Sequence, residues 1–500
     1  MPQHGYGHRW RGFWRGRSCW IPSLAAAIIH ALAATARPCF AMRWQYHRGE
    51  AMTDLQVPDV TCALVRQLIA MRTAPPAPEA VTVAKQCLLD WLGVTLAARH
   101  EPLVEMLCDE LDGADGACSV LVRDRPASLL DAVLINGAAG HALDYDDVIT
   151  AMGHPTAPVA PAVIALGEVT GASGAKVVAA FIAGLEAECR VANLLGPSHY
   201  AKGWHGTATF GCFGAAAAAG HLLDLDEAQM CHAFGIAGTQ AAGLKSVFGT
   251  MSKPLHAGRA AQNGVLAARL ARRGFTSDTD ILGSAQGFAA TQSTSVDRGA
   301  ALAPRALPWV VDVLFKYHAA CYLTHNTIEA AAALRDGTPF STADIEAVTV
   351  EVQPMHMGVC NIEAPRTGLE CKFSLRMTCA MALLGEDTFD EALYSDTTAA
   401  RPDLAALCAR TQVEPCAPTI ASTVHVRLSD GRKLSHTADV TQPVRDLAAQ
   451  QQRIERKFRS LGNDSLAAGT PDRIIALCRD LDRAPDLSNL LAACAEAVRV

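Results

Sequence analysis

Phe210-Gly-Cys-Phe-Gly-Ala-Ala-Ala-Ala-Ala-Gly-His-Leu-Leu223 carries small or apolar residues on every face that a helix could present. A helix apolar all round is buried, and one built from Ala and Gly lets its neighbours approach closely. The segment is therefore expected to be the centre of a helical body. Its surroundings agree: Val81–Ala98 and Ser173–Asn193 repeat apolar residues at helical spacing, and Ser173 is a good cap. Asp226 opens a further helix over Glu227–Gly243, and Gly258–Gly274 reads as another that ends on glycine. From Val60 to Leu270 the pattern is almost wholly helical.

After Thr342 the period changes to two. Val348, Val350 and Val352 alternate with Thr349, Glu351 and Gln353, which predicts a half-buried strand. A second strand, Thr423–Leu428, runs through an Asp430-Gly431 turn into Lys433–Asp439 as a hairpin. With a helix over Lys372–Leu384 between them, these form a small α+β unit. The fold class is thus mainly α, with a large all-helical domain over 52–315 and a smaller α+β lid domain over 316–449. The last segment, 450–500, reads as helical and is expected to return to the large domain.

The chain has 500 residues, too many for one ordinary core. Half are hydrophobic, 19% are charged, and the formal charge of −7 provides no electrostatic footprint for nucleic acid. The 17 cysteines are spread without a C-x-x-C pair, and are read as reduced thiols in a cytoplasmic protein. The first 51 residues stand apart, with Arg9, Arg11, Arg15, Arg17, Arg37, Arg43 and Arg48 against Glu50 alone. The apolar run Ile21–Ala34 imitates a signal or transit segment, but Met52-Thr-Asp-Leu offers a second start, so an upstream extension is the expectation. That run is too short and interrupted to span a membrane, and no later segment reads as a convincing transmembrane helix.

Three polar islands interrupt the apolar background: His141-Ala-Leu-Asp-Tyr-Asp-Asp147 continuing to Gly153-His-Pro-Thr156, Lys202-Gly-Trp-His-Gly-Thr-Ala-Thr209, and Gly249-Thr-Met-Ser-Lys-Pro-Leu-His256. Carboxylates and imidazoles are rarely buried without a task. Removing a proton beside a carboxylate needs a base near neutrality and cations to hold the charge that develops. Asp144, His154 and His205 can supply acid and base. Lys202, Lys253, Lys316 and Lys372 can supply positive charge. Thr207 follows His205 at the head of the Ala/Gly helix, where the dipole favours an anion. Pro155 and Pro254 hold their neighbours on loops or helix starts. The plainer readings are a solvated turn for Asp146 and Asp147, and backbone-bonded core imidazoles for His141, His256, His318 and His325. Cys321 and Cys371 read as thiols that merely pack.

Asp144, Asp146 and His154 match no familiar zinc spacing, and neither a dinucleotide fingerprint, a P-loop nor a nucleophile elbow is found. The expectation is no metal and no cofactor.

These motifs, together with Lys316, Cys321, Thr324-His325 and Lys372-Phe-Ser374, resemble the MmgE/PrpD family over about Leu55 to Leu481. The family's members dehydrate 2-methylcitrate, decarboxylate cis-aconitate or epimerise iminodisuccinate. The resemblance implies a helical domain, an α+β lid, a cleft between them and a homodimer. It also implies an active site of Asp144, His154, His205 and Lys253, with Lys316 at the junction and His154 moving the proton. By the same resemblance, Met377 and Cys321 stand where decarboxylating members carry a tyrosine and a histidine. The expected activity is a cofactor-independent lyase of the dehydratase type, acting on a small di- or tricarboxylate. An epimerase of an amino- or imino-dicarboxylate is the first alternative, and a non-catalytic carboxylate-binding scaffold the second.

Overall fold

A computed structural model describes residues 59–111, 116–462 and 466–499. The Arg-rich extension expected over 1–51 lies outside the described residues. Counting helices longer than five residues, the chain runs through α1 (Val60–Ala70), α2 (Pro78–Ala97), α3 (Pro102–Glu110), α4 (Leu129–Ala139), α5 (Thr156–Thr170), α6 (Gly174–Ala201), α7 (Gly206–Leu222), α8 (Glu227–Gln240) and α9 (Ser252–Arg272). A two-stranded ribbon, β1 (Cys118–Ser119) with β2 (Pro126–Ala127), interrupts this series.

The Ala/Gly helix α7 is buried along its whole length, as its composition predicts. It packs against α5, α6, α8 and α9. Glycine makes the closest approaches possible. A methyl group on Gly264 of α9 would lie 2.5 Å from both the Ala215 Cβ and the Ala216 backbone nitrogen. Local signals fix the ends of the surrounding helices. Ser173 caps α6 by accepting from the Lys176 amide, and Asp226 forms a reciprocal capping box with Gln229 on α8. The helix expected from Gly258 begins earlier, at Ser252, so Lys253 occupies its first turn.

Beyond Lys316 come α10 (Tyr322–Gly337), β3 (Ile345–Glu351), α11 (Leu375–Leu384), α12 (Pro402–Ala409), β4 (Thr411–Glu414), β5 (Ser422–Leu428) and β6 (Lys433–Ala438). The sheet order is β4-β3-β5-β6, with β4 parallel to β3 and the other pairs antiparallel. Val348 and Val350 face Val426 and Val424 across the β3–β5 pair, all four buried. The β5–β6 hairpin turns at Gly431, whose φ of +89° suits glycine. The single helix expected over Lys372–Leu384 is two, because Ser374 breaks it and caps α11 through the Met377 amide. Strand β4 was not expected, since four residues of mixed polarity carry too short a pattern to read.

The chain closes with α13 (Leu447–Gly462), α14 (Thr470–Arg479) and α15 (Ser488–Ala497). Gln450 on α13 donates to Gln86 on α2 at 2.7 Å, and the buried Lys457 reaches Asp90 at 2.6 Å. Among the described residues one helix, Pro78–His100, is long and apolar enough to cross a membrane, and 78% of that window is buried within the fold.

The contact between α9 and α7 leads to a direct test. Gly264→Ala should lower stability by about 1–3 kcal/mol, because backbone must move to admit the methyl group. Gly337→Ala, where the added atom meets nothing within 4 Å, should change it by less than about 0.5 kcal/mol. Urea denaturation of both variants provides the comparison, and equal effects would count against the central-helix packing.

Candidate active site

Two loops and one helix start converge on Asp144, and a third loop stands behind them. The loop between α4 and α5 carries His141, Asp144, Asp146, Asp147 and His154. It is closed on itself by paired hydrogen bonds between Ile149 and Gly153, each 2.8 Å. Gly153 holds φ +110°, and a side chain there would crowd the Thr207 hydroxyl. Val148 and Leu314 exchange both backbone hydrogen bonds at 2.9 Å, which brings Lys316 alongside the same loop. His205 immediately precedes α7, and its amide donates to the Gly243 carbonyl at 3.0 Å.

Asp144 adopts φ +50°, a left-handed backbone that is uncommon for a residue other than glycine. Its partners hold it there. Lys253 Nζ donates to Asp144 Oδ1 at 2.7 Å, while Lys316 Nζ donates to the Asp144 carbonyl at 2.5 Å and lies 3.4 Å from Oδ1. Burial alone would raise the Asp144 pKa, but Lys316, Lys253 and His154 outweigh it and hold the carboxyl well below its ordinary range. The side chain is 44% exposed, so the group that gathers these cations is reachable from solvent.

Behind it lies a buried relay. His154 is placed between two carboxylates, with Nε2 3.4 Å from Asp144 Oδ1 and Nδ1 3.1 Å from Asp146 Oδ2. The His154 backbone amide donates to Thr207 Oγ1 at 3.1 Å. His141 Nδ1 lies 2.9 Å from Asp146 Oδ1. Burial, opposed by Asp146, lowers the His141 pKa to about 4. Burial also works against ionisation of Asp146, yet His141 and His154 hold it well below its ordinary value. The consistent state is an ionised Asp146 accepting from the Nδ1–H of a neutral His141. His205 is held neutral by burial and by the positive groups around it. It stacks 6.1 Å from the His141 ring, and its Nδ1 meets His256 Nδ1 at 3.1 Å.

Asp147 faces inward and holds the start of α5. It accepts from Thr156 Oγ1 at 2.6 Å and from the Thr156 amide at 3.3 Å. Burial, then the nearby Asp90, raise its pKa to about 8. Under the loop, Lys457 donates to the Tyr145 carbonyl at 2.6 Å and pairs with Asp90, both side chains 1% exposed.

The residues expected at the site thus fall into two sets. His154, Lys253 and Lys316 each touch Asp144, Thr207 holds the His154 backbone, and His205 closes the far side through His141. Lys202 ends α6 as an exposed cation and makes none of these contacts. Lys372 pairs with Glu391 at 3.1 Å. His141 and Asp146, read from sequence as core and turn residues, are the direct neighbours of His154. Their five-residue spacing was the available signal. Asp90 and Lys457 lie 367 positions apart in the chain and carry none. Met377 is fully buried, with its sulfur 3.9 Å from Cys408 Sγ, so the position at which the family resemblance expects a tyrosine lies in the α+β core.

His141, Asp144, Asp146 and His154 bring potential ligand atoms within 4.8 Å of one another, a donor set that a divalent cation could use. As arranged here, two ammonium groups compensate Asp144 and two imidazoles contact Asp146. Imidazoles beside carboxylates can pass protons, and the two ammonium groups can hold an anion.

Sequence comparison agrees with this geometry. The pattern of the MmgE/PrpD N-terminal domain matches residues 64–299, and that of the C-terminal domain matches residues 318–483. The chain belongs to the MmgE/PrpD family. This MmgE/PrpD protein is 27% identical over 385 residues to cis-aconitate decarboxylase of Homo sapiens, spanning 72% of this chain and 78% of the relative. It is 27% identical to the Mus musculus cis-aconitate decarboxylase over 437 residues, 81% and 87% of the two chains. The cis-aconitate decarboxylase of Aspergillus terreus is 28% identical over 444 residues, 82% and 90%. The family and these relatives make the chain an enzyme related to lyases of small carboxylates.

Asp147 provides a pH test. In the folded chain it keeps its proton to about pH 8, whereas an unfolded aspartic acid releases it near pH 4. The stability this contributes is complete below the unfolded pKa and is lost as pH rises through the folded one. From about pH 5 to about pH 8, the melting temperature of the wild type should fall relative to that of Asp147→Asn. Parallel profiles by differential scanning fluorimetry would refute the assignment.

Proposed function

We propose that this protein is a lyase that acts on a small di- or tricarboxylate by moving a proton at the carbon alpha to a carboxylate, and that its preferred outcome is loss of water. The observation that carries this reading is the meeting of Lys253, Lys316 and His154 at Asp144. A substrate carboxylate that enters the cleft competes with Asp144 for two ammonium groups. Those cations then face the charge that grows as the alpha proton leaves. His154, oriented through Nδ1 by Asp146, presents Nε2 toward the same place and takes the proton. Neutral His205, backed by His256, lines the other side as a hydrogen-bonding group that costs no charge.

In dehydration the electron pair left at the alpha carbon forms the double bond, the bond from the adjacent carbon to its hydroxyl breaks, and the proton that His154 took passes to the departing oxygen, so that water leaves. Epimerisation shares the first step but returns a proton from the opposite face. A second reading, decarboxylation of a cis-aconitate-like acid, is favoured by the activity named for the relatives. Burial of Met377 in the core also weakens the argument against it. Both lyase outcomes use the same cations, and both fit a homodimeric, cytoplasmic enzyme that needs no cofactor.

Incubating the enzyme with citrate, 2-methylcitrate, cis-aconitate and aspartate-derived imino acids in deuterated water separates these outcomes. Unsaturated-acid absorbance marks dehydration, carbon dioxide marks decarboxylation, and deuterium uptake without either marks epimerisation. His154→Ala should lower kcat/KM by about a hundredfold to ten-thousandfold with an unchanged melting curve. Lys253→Met should show a similar loss. Full activity in His154→Ala, or no turnover of any such acid by the wild type, contradicts the reading.

A further inference from the structure

Cys62, in the first turn of α1, and Cys231, in the second turn of α8, stand 169 positions apart in the chain, yet their sulfurs lie 2.7 Å from each other. That separation is only about 0.7 Å longer than a disulfide bond. The backbone on either side holds the pair in register. Asp59 accepts from the Cys62 amide at 3.1 Å, and Asp280 accepts from the Thr61 amide at 3.2 Å and the Thr61 hydroxyl at 3.0 Å. One turn further on, Arg66 pairs with Glu227 at 3.2 Å and so joins α1 to the start of α8. Past the end of α1, Arg72 donates to the Leu225 and Gly220 carbonyls at 2.6 and 2.9 Å. Anchors before and after Cys62 therefore keep the two sulfurs together. Cys62 Sγ donates to the Thr279 carbonyl at 3.7 Å, which leaves Cys231 as the donor between the two thiols. Cys231 is 1% exposed and Cys62 is half-buried. Cys62 is thus the sulfur that a reagent from solvent meets first, with Cys231 directly behind it.

We propose that Cys62 and Cys231 are a disulfide-forming site that fastens α1 to α8, with a small organic disulfide such as oxidised glutathione as the oxidant. Cys62 sulfur, losing its proton, attacks one sulfur of the organic disulfide; that S–S bond breaks, a thiolate leaves, and Cys62 carries a mixed disulfide. Cys231 sulfur, losing its proton, then attacks the Cys62 sulfur, the mixed disulfide breaks, and a second thiolate leaves. The two protons released go to the two leaving thiolates. Two protein thiols are oxidised by two electrons in all, and one organic disulfide is reduced to two thiols. Burial pushes both thiols above their ordinary value, so the exchange is slow at neutrality and quickens as pH rises. The pair therefore serves as a structural fastening and not as a rapid sensor. Closing so long a loop restricts the unfolded chain and ties down the first described helix. Neither cysteine belongs to the Asp144 network, so the fastening does not rest on the proposed function.

The test is non-reducing peptide mapping by mass spectrometry of the full chain after equilibration with oxidised glutathione, with the remaining thiols alkylated under denaturing conditions. The expected result is a Cys62–Cys231 cross-link that dithiothreitol reverses and that forms roughly tenfold faster for each unit of pH above neutrality. The exposed Cys416 should carry glutathione instead. Oxidation should raise the melting temperature of the wild type by about 2–5 °C and leave that of Cys62→Ala unchanged, and Cys62→Ser provides the same readout if alanine unsettles the first turn of α1. Glutathione that stays on Cys62 while Cys231 remains alkylatable, two free thiols after Cys416 has reacted, or a bond from either to another cysteine overturns the proposal. A cross-link that leaves the melting temperature where it was overturns the fastening.

Discussion

The candidate site depends on one carboxylate held by cations in an unfavourable backbone conformation. A left-handed aspartate costs on the order of 1–3 kcal/mol, and it persists only where its surroundings determine it. Here Lys316 clasps the Asp144 carbonyl, Lys253 binds its side chain, and His154 approaches from behind. Strain and charge therefore meet at the same residue. The ammonium groups that secure Asp144 at rest are, in the proposed reaction, the ones an incoming carboxylate would compete for, so one ion-pair network would serve both the fold and that chemistry.

The rest of the fold places those four side chains. The small-residue packing of α7 against α9 sets where His205 and Lys253 begin their helices. The Val148–Leu314 backbone pair brings Lys316 across from a different part of the chain. Buried acids and bases fill the wall behind: Asp147 holds the start of α5, and Lys457 reaches Asp90 and the Tyr145 carbonyl from the last third of the chain. Because a buried ion pair rarely adds net stability, its role here is better read as fixing the loop that carries Asp144 than as strengthening the core.

Much of this was legible in the sequence for identifiable reasons. The Ala/Gly run, the alternating valines and the polar islands each leave a local pattern, and each became the expected helix, strand or loop. Asp144, His154, His205 and Lys253 stood out because ionisable groups are conspicuous in an apolar background. What stayed hidden depended on distance in the chain. Lys202 and Lys372 look like Lys253 and Lys316 by composition, but only the tertiary arrangement shows which cations reach Asp144. The Asp90–Lys457 pair leaves no periodic trace, and Met377 could be located in the core only once its neighbours were known.

The most direct test is a crystal structure with a non-reacting tricarboxylate analogue bound. The ligand should place one carboxylate within about 3 Å of both Lys253 Nζ and Lys316 Nζ, with its alpha carbon facing His154 Nε2. A ligand bound elsewhere, with the Lys253–Asp144–Lys316 network undisturbed and His154 remote from it, would contradict the account.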